Sequence, residues 1–426
     1  MTAAVLFISF AILLAISTPI AIALGVSSML ALIVEGVDLI TIPINIYSST
    51  SKWVLMAIPF FILGGNIMDK AGISKRLIKL ADTAVGHRKG GMAVVCVAVA
   101  CFFAAISGSG PATVAALGMI LIPAMASSGY DVPFASSLMA TSGAIGVVIP
   151  PSITFVVYGS IAGASVGKLF MGGLIPGLLM GIGFAVTALI YGNKNCNLVT
   201  KEKASGKERW LAFRDAFWGL LMPVIILGGI YGGIFTPTEA AAFSAVYGLV
   251  VGLFVYRELK LKDIRSLFID SISTSATIMW ITANASIFAW VLTVSGIKEV
   301  ITTAFTTFTG GSTIIFYIIV NIVLLIAGML LDSTSALYIF TPLFIPVATA
   351  LGVDLVHLGV VMIVNLAIGL YTPPVGVNLY VACSVSQISL EKILKPTMLL
   401  LFSSLIVLLL VTYIPQISMF LPNMLK

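Results

Sequence analysis

The stretch from Ala144 to Ser152, AIGVVIPPS, recurs in recognisable form later in the chain. The second copy, AIGLYTPPV, begins at Ala367, an offset of 367 − 144 = 223 residues. The same offset relates SGSGPAT, which begins at Ser107, to LLDSTSA, which begins at Leu330. Two matches in register, one of them with a Pro-Pro pair, indicate an internal repeat.

The composition around these stretches is that of a membrane protein. Of the 426 residues, 60% are hydrophobic and 9% are charged, whereas soluble domains carry roughly 25% charged residues. Several apolar runs reach the roughly 20 residues that a helix needs to cross a bilayer. The runs are long and continuous, unlike the short alternating strands of a barrel. We therefore expect an all-α polytopic membrane protein.

The apolar runs predict about nine full spans. They cover residues 3–34, 52–69, 131–160, 166–192, 215–235, 237–256, 267–296, 355–383 and 397–421. Two further stretches, 91–128 and 312–350, are interrupted at their centres by SGSGPAT and LLDSTSA. Each could be two full spans or one re-entrant helical hairpin. The broken centres favour hairpins, because irregular backbone at membrane depth persists only where it is buried or lines a cavity.

Basic residues set the expected orientation. They cluster in loops 70–89, 194–214 and 257–265, which the positive-inside rule places in the cytoplasm. The first hairpin then inserts from the cytoplasm and the second from outside, so the two repeats are inverted. The N-terminus is expected in the cytoplasm and the C-terminus in the periplasm. Because most of the basic residues lie in these loops, the net charge of +6 does not indicate nucleic-acid binding.

This topology divides the chain into four regions. Residues 1–51 form an N-terminal span with an extracytoplasmic loop, 52–192 the first inverted repeat, and 267–426 the second. Residues 193–266 are a connecting helical pair that serves as scaffold. Interfacial helices are predicted for ISKRLIKLADTAVGH, with an apolar stripe, and for ERWLAFRDAFW, with aromatic residues between charges. The stripe consists of Ile73, Leu77, Leu80, Ala81 and Ala84.

These motifs give the chain a resemblance to a known family. The pieces SGSGPATVAALG, SGAIGVVIPPS, GGIFTPTEAAA, LLDSTSALYIFTPLF and GLYTPPVGVNLYV resemble the large membrane subunit of TRAP (tripartite ATP-independent periplasmic) transporters. The chain looks most like the sialic-acid branch, with the C4-dicarboxylate branch close behind. The resemblance implies sodium-driven import of an acidic solute across the bacterial inner membrane by elevator-like alternating access. It also implies a small membrane subunit and a periplasmic substrate-binding protein as partners.

The breaks in the helices supply the expected chemistry. An interrupted helix frees carbonyl groups, which with Ser and Thr hydroxyls are hard ligands for Na⁺, and N–H groups that suit a carboxylate. Each hairpin tip is expected to pair with the broken span of its own repeat. The predicted sodium ligands are Ser107, Ser109 and Gly110 with Gly146 and Pro150, and Asp332, Ser333 and Ser335 with Gly369 and Thr372. The predicted substrate ligands, between the two sodium sites, are Thr113, Pro151, Thr334, Pro374 and Asn378.

Asp332 is the one carboxylate at a broken tip. A charge at that depth costs about 2.5–3.5 kcal/mol on insertion scales, and no Lys or Arg lies in either hairpin or in the Pro-Pro breaks. Na⁺ or backbone donors must balance it, so a cation ligand and a helix cap are both open readings. An anionic solute likewise needs bound Na⁺, which predicts sodium-dependent uptake with a Hill slope above one. The motif TPTE at Thr236 reads as a capping box.

Other functions are weaker readings. A stand-alone sodium–carboxylate symporter is the nearest alternative. A channel is disfavoured because inverted repeats with broken helices point to alternating access. An intramembrane serine protease needs a histidine at membrane depth, for which His87 and His357 are poorly placed. We therefore do not expect an enzyme.

Overall fold

The computed structural model describes residues 1–200 and 202–424, which fold into twenty α-helices with short 3-10 and π turns and no strand. The first ten helices are Thr2–Ala15 (α1), Ile20–Glu35 (α2), Thr41–Thr50 (α3), Ala57–Lys70 (α4), Ile73–Val85 (α5), Gly91–Ser107 (α6), Gly110–Ser127 (α7), Val132–Ala144 (α8), Ile153–Ala162 (α9) and Val166–Asn195 (α10). The others are Gly206–Tyr231 (α11), Pro237–Val250 (α12), Leu261–Val294 (α13), Ile297–Thr309 (α14), Thr313–Leu330 (α15), Ser333–Ala350 (α16), Leu355–Gly369 (α17), Val377–Ser386 (α18), Leu390–Tyr413 (α19) and Gln416–Met424 (α20). Nine helical segments of the described chain are long and apolar enough to cross a membrane, which confirms the all-α polytopic class.

The prediction of one span over residues 3–34 is wrong. The segment folds into two helices, α1 and α2. A hydrogen bond from the Thr2 hydroxyl to the Glu35 carboxylate joins the start of α1 to the end of α2, which shows that the helices are antiparallel. The turn lies at Ser17, whose φ is 62°, and Pro19. Proline disfavours helical backbone in the residue before it, a break that the continuous apolar run conceals. Both ends of the segment therefore lie on the same side, which removes the basis for a cytoplasmic N-terminus.

The repeat is visible in the starting residues of the helices. Helix α7 begins at Gly110 and α16 at Ser333, an offset of 333 − 110 = 223. Helix α8 begins at Val132 and α17 at Leu355, again 355 − 132 = 223. The flanking pairs α6 and α15, and α10 and α19, agree with this offset to within one residue. Helices α4 to α10 thus recur in the same order as α13 to α19.

The long helix α10 shows that the two hairpins insert from opposite ends. Tyr130, just after the first hairpin, packs on Gly192 near the end of α10, and its hydroxyl lies 3.4 Å from the Ala188 carbonyl oxygen. Val360, just after the second hairpin, packs on Gly172 near the start of α10. Sixteen residues of helix between Gly172 and Ala188 span about 24 Å. The hairpin bases therefore lie at opposite ends of the molecule, as an inverted repeat requires.

The turns after the hairpins are built alike in both repeats. Gly129 (φ 96°) and Gly352 (φ 70°), related by 352 − 129 = 223, adopt left-handed backbone that a side chain would strain. Two residues later Asp131 and Asp354 cap α8 and α17, accepting hydrogen bonds from Phe134 N at 3.1 Å and from Val356 N at 2.7 Å, respectively. Such caps stabilise a helix by about 1 kcal/mol, and here they fix where each broken span begins.

The two predicted interfacial helices have different outcomes. Helix α5 covers Ile73–Val85, but its buried face includes Ile78 while Ala84 is exposed, so the stripe is rotated from the predicted one. Residues 208–218 are not a separate helix, because they form the first part of the continuous helix α11.

Candidate cation and solute site between the hairpin tips

Both hairpin tips face one cavity of about 290 Å³ near the centre of the molecule. Since the hairpins insert from opposite ends, neither tip reaches the far surface, and both hairpins are re-entrant. The remaining wall comes from α4, α13 and the broken spans. The polar residues and tip residues that line the cavity are Asn66, Asp69, Ser107, Gly108, Ser109, Gly110, Pro111, Thr154, Thr274, Asp332, Ser333 and Thr334.

The first tip is a two-residue break between α6 and α7. Gly108 has φ 62°, and Ser109 is extended with φ −135°. Pro111 follows in the first turn of α7, where a missing N–H costs nothing. The last carbonyls of α6 and the first N–H groups of α7 have no partners within their own helices, so they are available at the cavity wall.

The second tip is capped by Asp332. Its carboxylate accepts hydrogen bonds from the Ser335 backbone N–H at 3.0 Å and from the Ser335 hydroxyl. The helix-cap reading of Asp332 is therefore confirmed, and the same exposed carboxylate still faces the cavity. Ser333 Oγ is different: the residue is 6% exposed, and this oxygen has no hydrogen-bond partner among the described residues.

The charge of the cavity is negative. Asp69 and Asp332 both line it, and Lys, Arg and His are absent from its described lining. Asp69 accepts a hydrogen bond from the Ser74 hydroxyl at 2.6 Å, which leaves its charge unbalanced. An acidic solute would be repelled here unless cations bound first.

The first broken span satisfies one of its own freed carbonyls. Val147 O accepts hydrogen bonds from the hydroxyls of Ser152 at 2.5 Å and Thr154 at 3.0 Å. In the second broken span the Thr372 hydroxyl donates to Ile368 O at 2.7 Å. The Pro150-Pro151 and Pro373-Pro374 bonds are cis in both repeats.

Six of the fifteen predicted ligands line the cavity. They are Ser107, Ser109, Gly110, Asp332, Ser333 and Thr334. The other nine lie outside its described lining: Gly146, Pro150, Ser335, Gly369, Thr372, Thr113, Pro151, Pro374 and Asn378. Most of these nine residues either pack against the tips outside the cavity or form hydrogen bonds within their own segment.

Four positions illustrate that supporting role. A Cβ placed on Gly146 would lie 3.2 Å from Ser109 O and from Thr113 Oγ1. The Thr113 hydroxyl donates to Ser109 O at 2.7 Å, and Gly369 lies against the backbone of Gly328. Pro150 faces an apolar pocket on the other side of the first hairpin.

The first hairpin tip contacts the broken span of its own repeat, as expected, and also the second repeat. The first tip does contact its own span, since a Cβ on Gly108 would lie 3.2 Å from Pro151 O. A Cβ on Gly110, however, would lie 3.0 Å from Leu370 Cδ1 and 3.2 Å from the Asn378 amide, both in the second repeat. The first tip is thus held between the two repeats, a contact that no local pattern could predict.

The sequence reasoning missed four polar lining residues: Asn66, Asp69, Thr154 and Thr274. Asn66 Nδ2 donates to Ser271 Oγ at 2.9 Å, which ties α4 to α13 on one side of the cavity. An asparagine near the end of an apolar span was a usable signal, as Asn378 was. The TPTE capping box is confirmed: Thr236 and Glu239 exchange hydrogen bonds at the start of α12.

Comparison with known proteins agrees with this architecture. The sequence pattern of the family described as "Tripartite ATP-independent periplasmic transporter, DctM component" matches residues 7–417. The C4-dicarboxylate TRAP transporter large permease protein DctM of Pseudomonas aeruginosa is 44% identical over 402 residues, 94% of this chain and 93% of the relative. The corresponding protein of Rhodobacter capsulatus is 39% identical over the full length of both chains.

A third relative is longer. The isethionate TRAP transporter permease protein DctMQ of Oleidesulfovibrio alaskensis is 44% identical over 98% of this chain, which spans 66% of that relative's length, just under two thirds. The crystal structure of the YdaH transporter of Alcanivorax borkumensis is similar in fold alone, with a TM-score of 0.63, 14% identity, and coverage of 90% of this chain and 88% of YdaH. The family match over residues 7–417, together with these relatives, shows that the chain belongs to the large permease family of TRAP transporters.

Proposed function

We propose that this permease imports an acidic organic solute by coupling its movement to Na⁺. The tips of both hairpins would hold the cations, and the solute would bind in the cavity between them. Sialic acid and a C4-dicarboxylate are the two substrate classes that we put forward. Relatives named for C4-dicarboxylates and isethionate support an acidic solute.

The observation that carries this proposal is the Ser333 hydroxyl beside Asp332, which has no hydrogen-bond partner in the part of the chain that the structure describes. A buried polar atom without a hydrogen-bond partner costs about 1–3 kcal/mol and calls for a bound water or ion. Ser333 Oγ, the Asp332 carboxylate and the freed tip carbonyls are hard oxygen donors of the kind that alkali cations take. Cations at these positions would also neutralise the cavity for an anion.

The position of the cavity between the hairpin tips and the end of α4 supports alternating access. Its wall includes Asp69, one residue before the basic loop that begins at Lys70, so we infer that it opens toward the cytoplasm. The opposite wall consists of the hairpin tips. In an elevator-like cycle, the hairpins and broken spans would slide against α4, α11, α12 and α13 to expose the site outside.

Partners and location follow from the family. We propose that a small membrane subunit and a periplasmic substrate-binding protein complete the transporter in the bacterial inner membrane. Part of DctMQ lies outside the match to this chain, which is in keeping with a second membrane subunit. The residues between the tips are suited to ion and solute binding, so we propose no enzymatic activity.

Reconstitution tests the proposal. The permease, its small subunit and its binding protein are placed in liposomes, and uptake of labelled acids is measured under an imposed Na⁺ gradient. We expect uptake that rises with Na⁺ concentration with a Hill slope above one. Equal uptake with K⁺ in place of Na⁺ would refute the coupling, and full uptake by the permease alone would favour a stand-alone symporter.

A cation-binding role of Asp332 can be distinguished from its role as a helix cap. We expect Asp332→Asn to abolish sodium-driven uptake while the protein still folds and inserts. The matched control is Asp354→Asn, because Asp354 also caps a helix of the second repeat but lies outside the cavity lining. Normal sodium dependence in Asp332→Asn, or equal loss in both variants, would contradict a cation-linked role.

A further inference from the structure

Asn378 joins parts of the molecule that lie far apart in the sequence. It is fully buried near the start of α18. Its backbone N–H donates to Leu370 O at 2.9 Å, which closes the break of the second repeat. Its side-chain Nδ2 donates to Ala140 O at 2.9 Å, in the helix that precedes the break of the first repeat.

The same amide touches the first hairpin tip. A Cβ placed on Gly110 would lie 3.2 Å from both Nδ2 and Oδ1 of Asn378, a tight contact that a larger residue could make only if the amide shifted. The orientation of the amide is fixed, because the Ala140 carbonyl can only accept and must face the NH₂ group. Oδ1 then has no hydrogen-bond partner within the described residues.

The contacts continue from Asn378 to the second tip. Leu370 directly follows Gly369, and Gly369 is packed against the backbone of Gly328 in α15, with a Cβ-to-Cα separation of 2.5 Å if Gly369 carried a side chain. Beyond the break, Gly376 N donates to Met329 O at 3.5 Å. A continuous path of contacts therefore runs from one hairpin tip to the other through the second break.

The side-chain hydrogen bond that links Asn378 to the other repeat is described in only one of the two repeats. After the break the offset between the repeats becomes 377 − 153 = 224 residues, because α9 begins at Ile153 and α18 at Val377. The position related to Asn378 is therefore 378 − 224 = 154. Thr154 bonds only within its own repeat in the described structure, to Ser152 and Val147. Rearrangement of the first tip can thus reach the second break through the Asn378 amide, whereas the reverse contact, α9 against α16, has a threonine at the related position.

We propose that Asn378 is a positioning residue that couples the two hairpin tips, so that a cation bound at one tip favours binding at the other. This inference rests on the proposed sodium-coupled function. Ordering of the first tip would fix Gly110 against the Asn378 amide. That amide in turn would hold the second break in the geometry that completes the second tip. Coupling between sites in proteins typically changes affinity about 5- to 150-fold.

The test compares Asn378→Leu with Asn378→Ala in the complete reconstituted transporter. Leucine keeps the approximate shape and removes the hydrogen bond to Ala140 O. Because the other partner of that bond remains, both variants are expected to lose some stability, which melting temperature reports separately from Na⁺ dependence. We expect the Hill slope for Na⁺ to fall toward one and the half-saturating Na⁺ concentration to rise about tenfold, within the usual range for site coupling. The matched control is Ser386→Ala on the same helix, because Ser386 bonds only locally, to Ala382 O.

A second comparison tests the contact itself. Gly110→Ala would push a Cβ to 3.2 Å from the Asn378 amide and 3.0 Å from Leu370 Cδ1, and Asn378→Ala relieves the first of these contacts. We expect the double variant to need no more Na⁺ for half-saturation than the worse single variant, since residues in contact are not additive. Sodium-dependent thermal stabilisation of the purified protein provides the same readout without transport.

The outcomes separate the two proposals. If the wild type shows a Hill slope above one and the Asn378 variants keep it, losing only maximal rate or stability, the coupling role is overturned and the proposed function stands. If wild-type uptake ignores Na⁺, the proposed function fails and this inference fails with it. Additive effects of Gly110→Ala and Asn378→Ala would also overturn the coupling.

Discussion

Substitution of Gly369 by alanine is the sharpest test of how the second tip is held. A Cβ at this position would lie 2.5, 2.6 and 2.7 Å from the Cα, C and O atoms of Gly328. All three are backbone atoms, so no side-chain rotation can relieve the contact. To reach 3.4 Å, where ordinary van der Waals contact begins, α15 and α17 must separate by about 3.4 − 2.5 = 0.9 Å.

The size of the effect follows from that shift. Overpacking of this kind costs about 1–3 kcal/mol, of which up to about 1 kcal/mol is recovered because alanine is the better helix former. The fold should therefore survive. A displacement of about 1 Å in a binding geometry can cost about a hundredfold in activity, so we expect sodium-driven uptake by Gly369→Ala to fall by about that factor.

Substitutions at two other glycines serve as controls for this experiment. At Gly146, the related position in the first repeat, a Cβ would meet atoms at 3.2 Å, so Gly146→Ala should cause a smaller loss. At Gly228 in α11 a Cβ meets nothing within 4 Å, so Gly228→Ala should leave uptake unchanged. Uptake and half-saturating Na⁺ are measured in liposomes, and folding is followed by melting temperature. Uptake by Gly369→Ala within threefold of wild type would refute the reasoning.

Two further predictions concern parts of the chain away from the cavity. Thr236→Ala removes the hydroxyl that accepts from Glu239 N at 3.3 Å; loss of this cap should lower stability by about 1 kcal/mol, seen as a lower melting temperature. A changed half-saturating Na⁺ concentration in that variant would contradict its structural role. In a variant without the four native cysteines, a membrane-impermeant maleimide added outside should label Glu35→Cys, which is exposed, but not Lys207→Cys. Labelling of position 35 only after permeabilisation would contradict an extracytoplasmic N-terminus, because Thr2 bonds Glu35.

That topology prediction replaces the one drawn from the sequence. Lys52 Nζ donates to Ser160 O at 2.7 Å. With the basic loops inside, as the positive-inside rule predicts, and α4 crossing the membrane, we infer that Lys52 lies outside. Since Glu35 precedes it without a further crossing and Thr2 bonds Glu35, we propose that the N-terminus is extracytoplasmic. The C-terminal helix α20 lies at the same end, because Ser418 bonds His357 near the start of α17. A periplasmic C-terminus remains our proposal.

Much of the fold is determined by the sequence through local chemistry. The length of the apolar runs sets the class, and the offset of 223 residues sets the repeat. Glycine and proline at Gly108 and Pro111 end one helix and allow the next to start, so the tip at 107–113 could be placed to the residue. The cap at Asp332 and the TPTE box are local in the same sense, because donor and acceptor lie three residues apart.

The tertiary structure alone decided which residues share the cavity. Asp69 and Thr154 line it although they belong to neither hairpin tip, and Pro150 and Asn378 lie outside its described lining. The hydrogen bond from Asn378 to Ala140 joins residues 238 positions apart. Such contacts depend on how inverted repeats pack, and that packing leaves no period, cap or turn signal in the chain. The sequence determined where the helices break, while the packing decided which breaks meet.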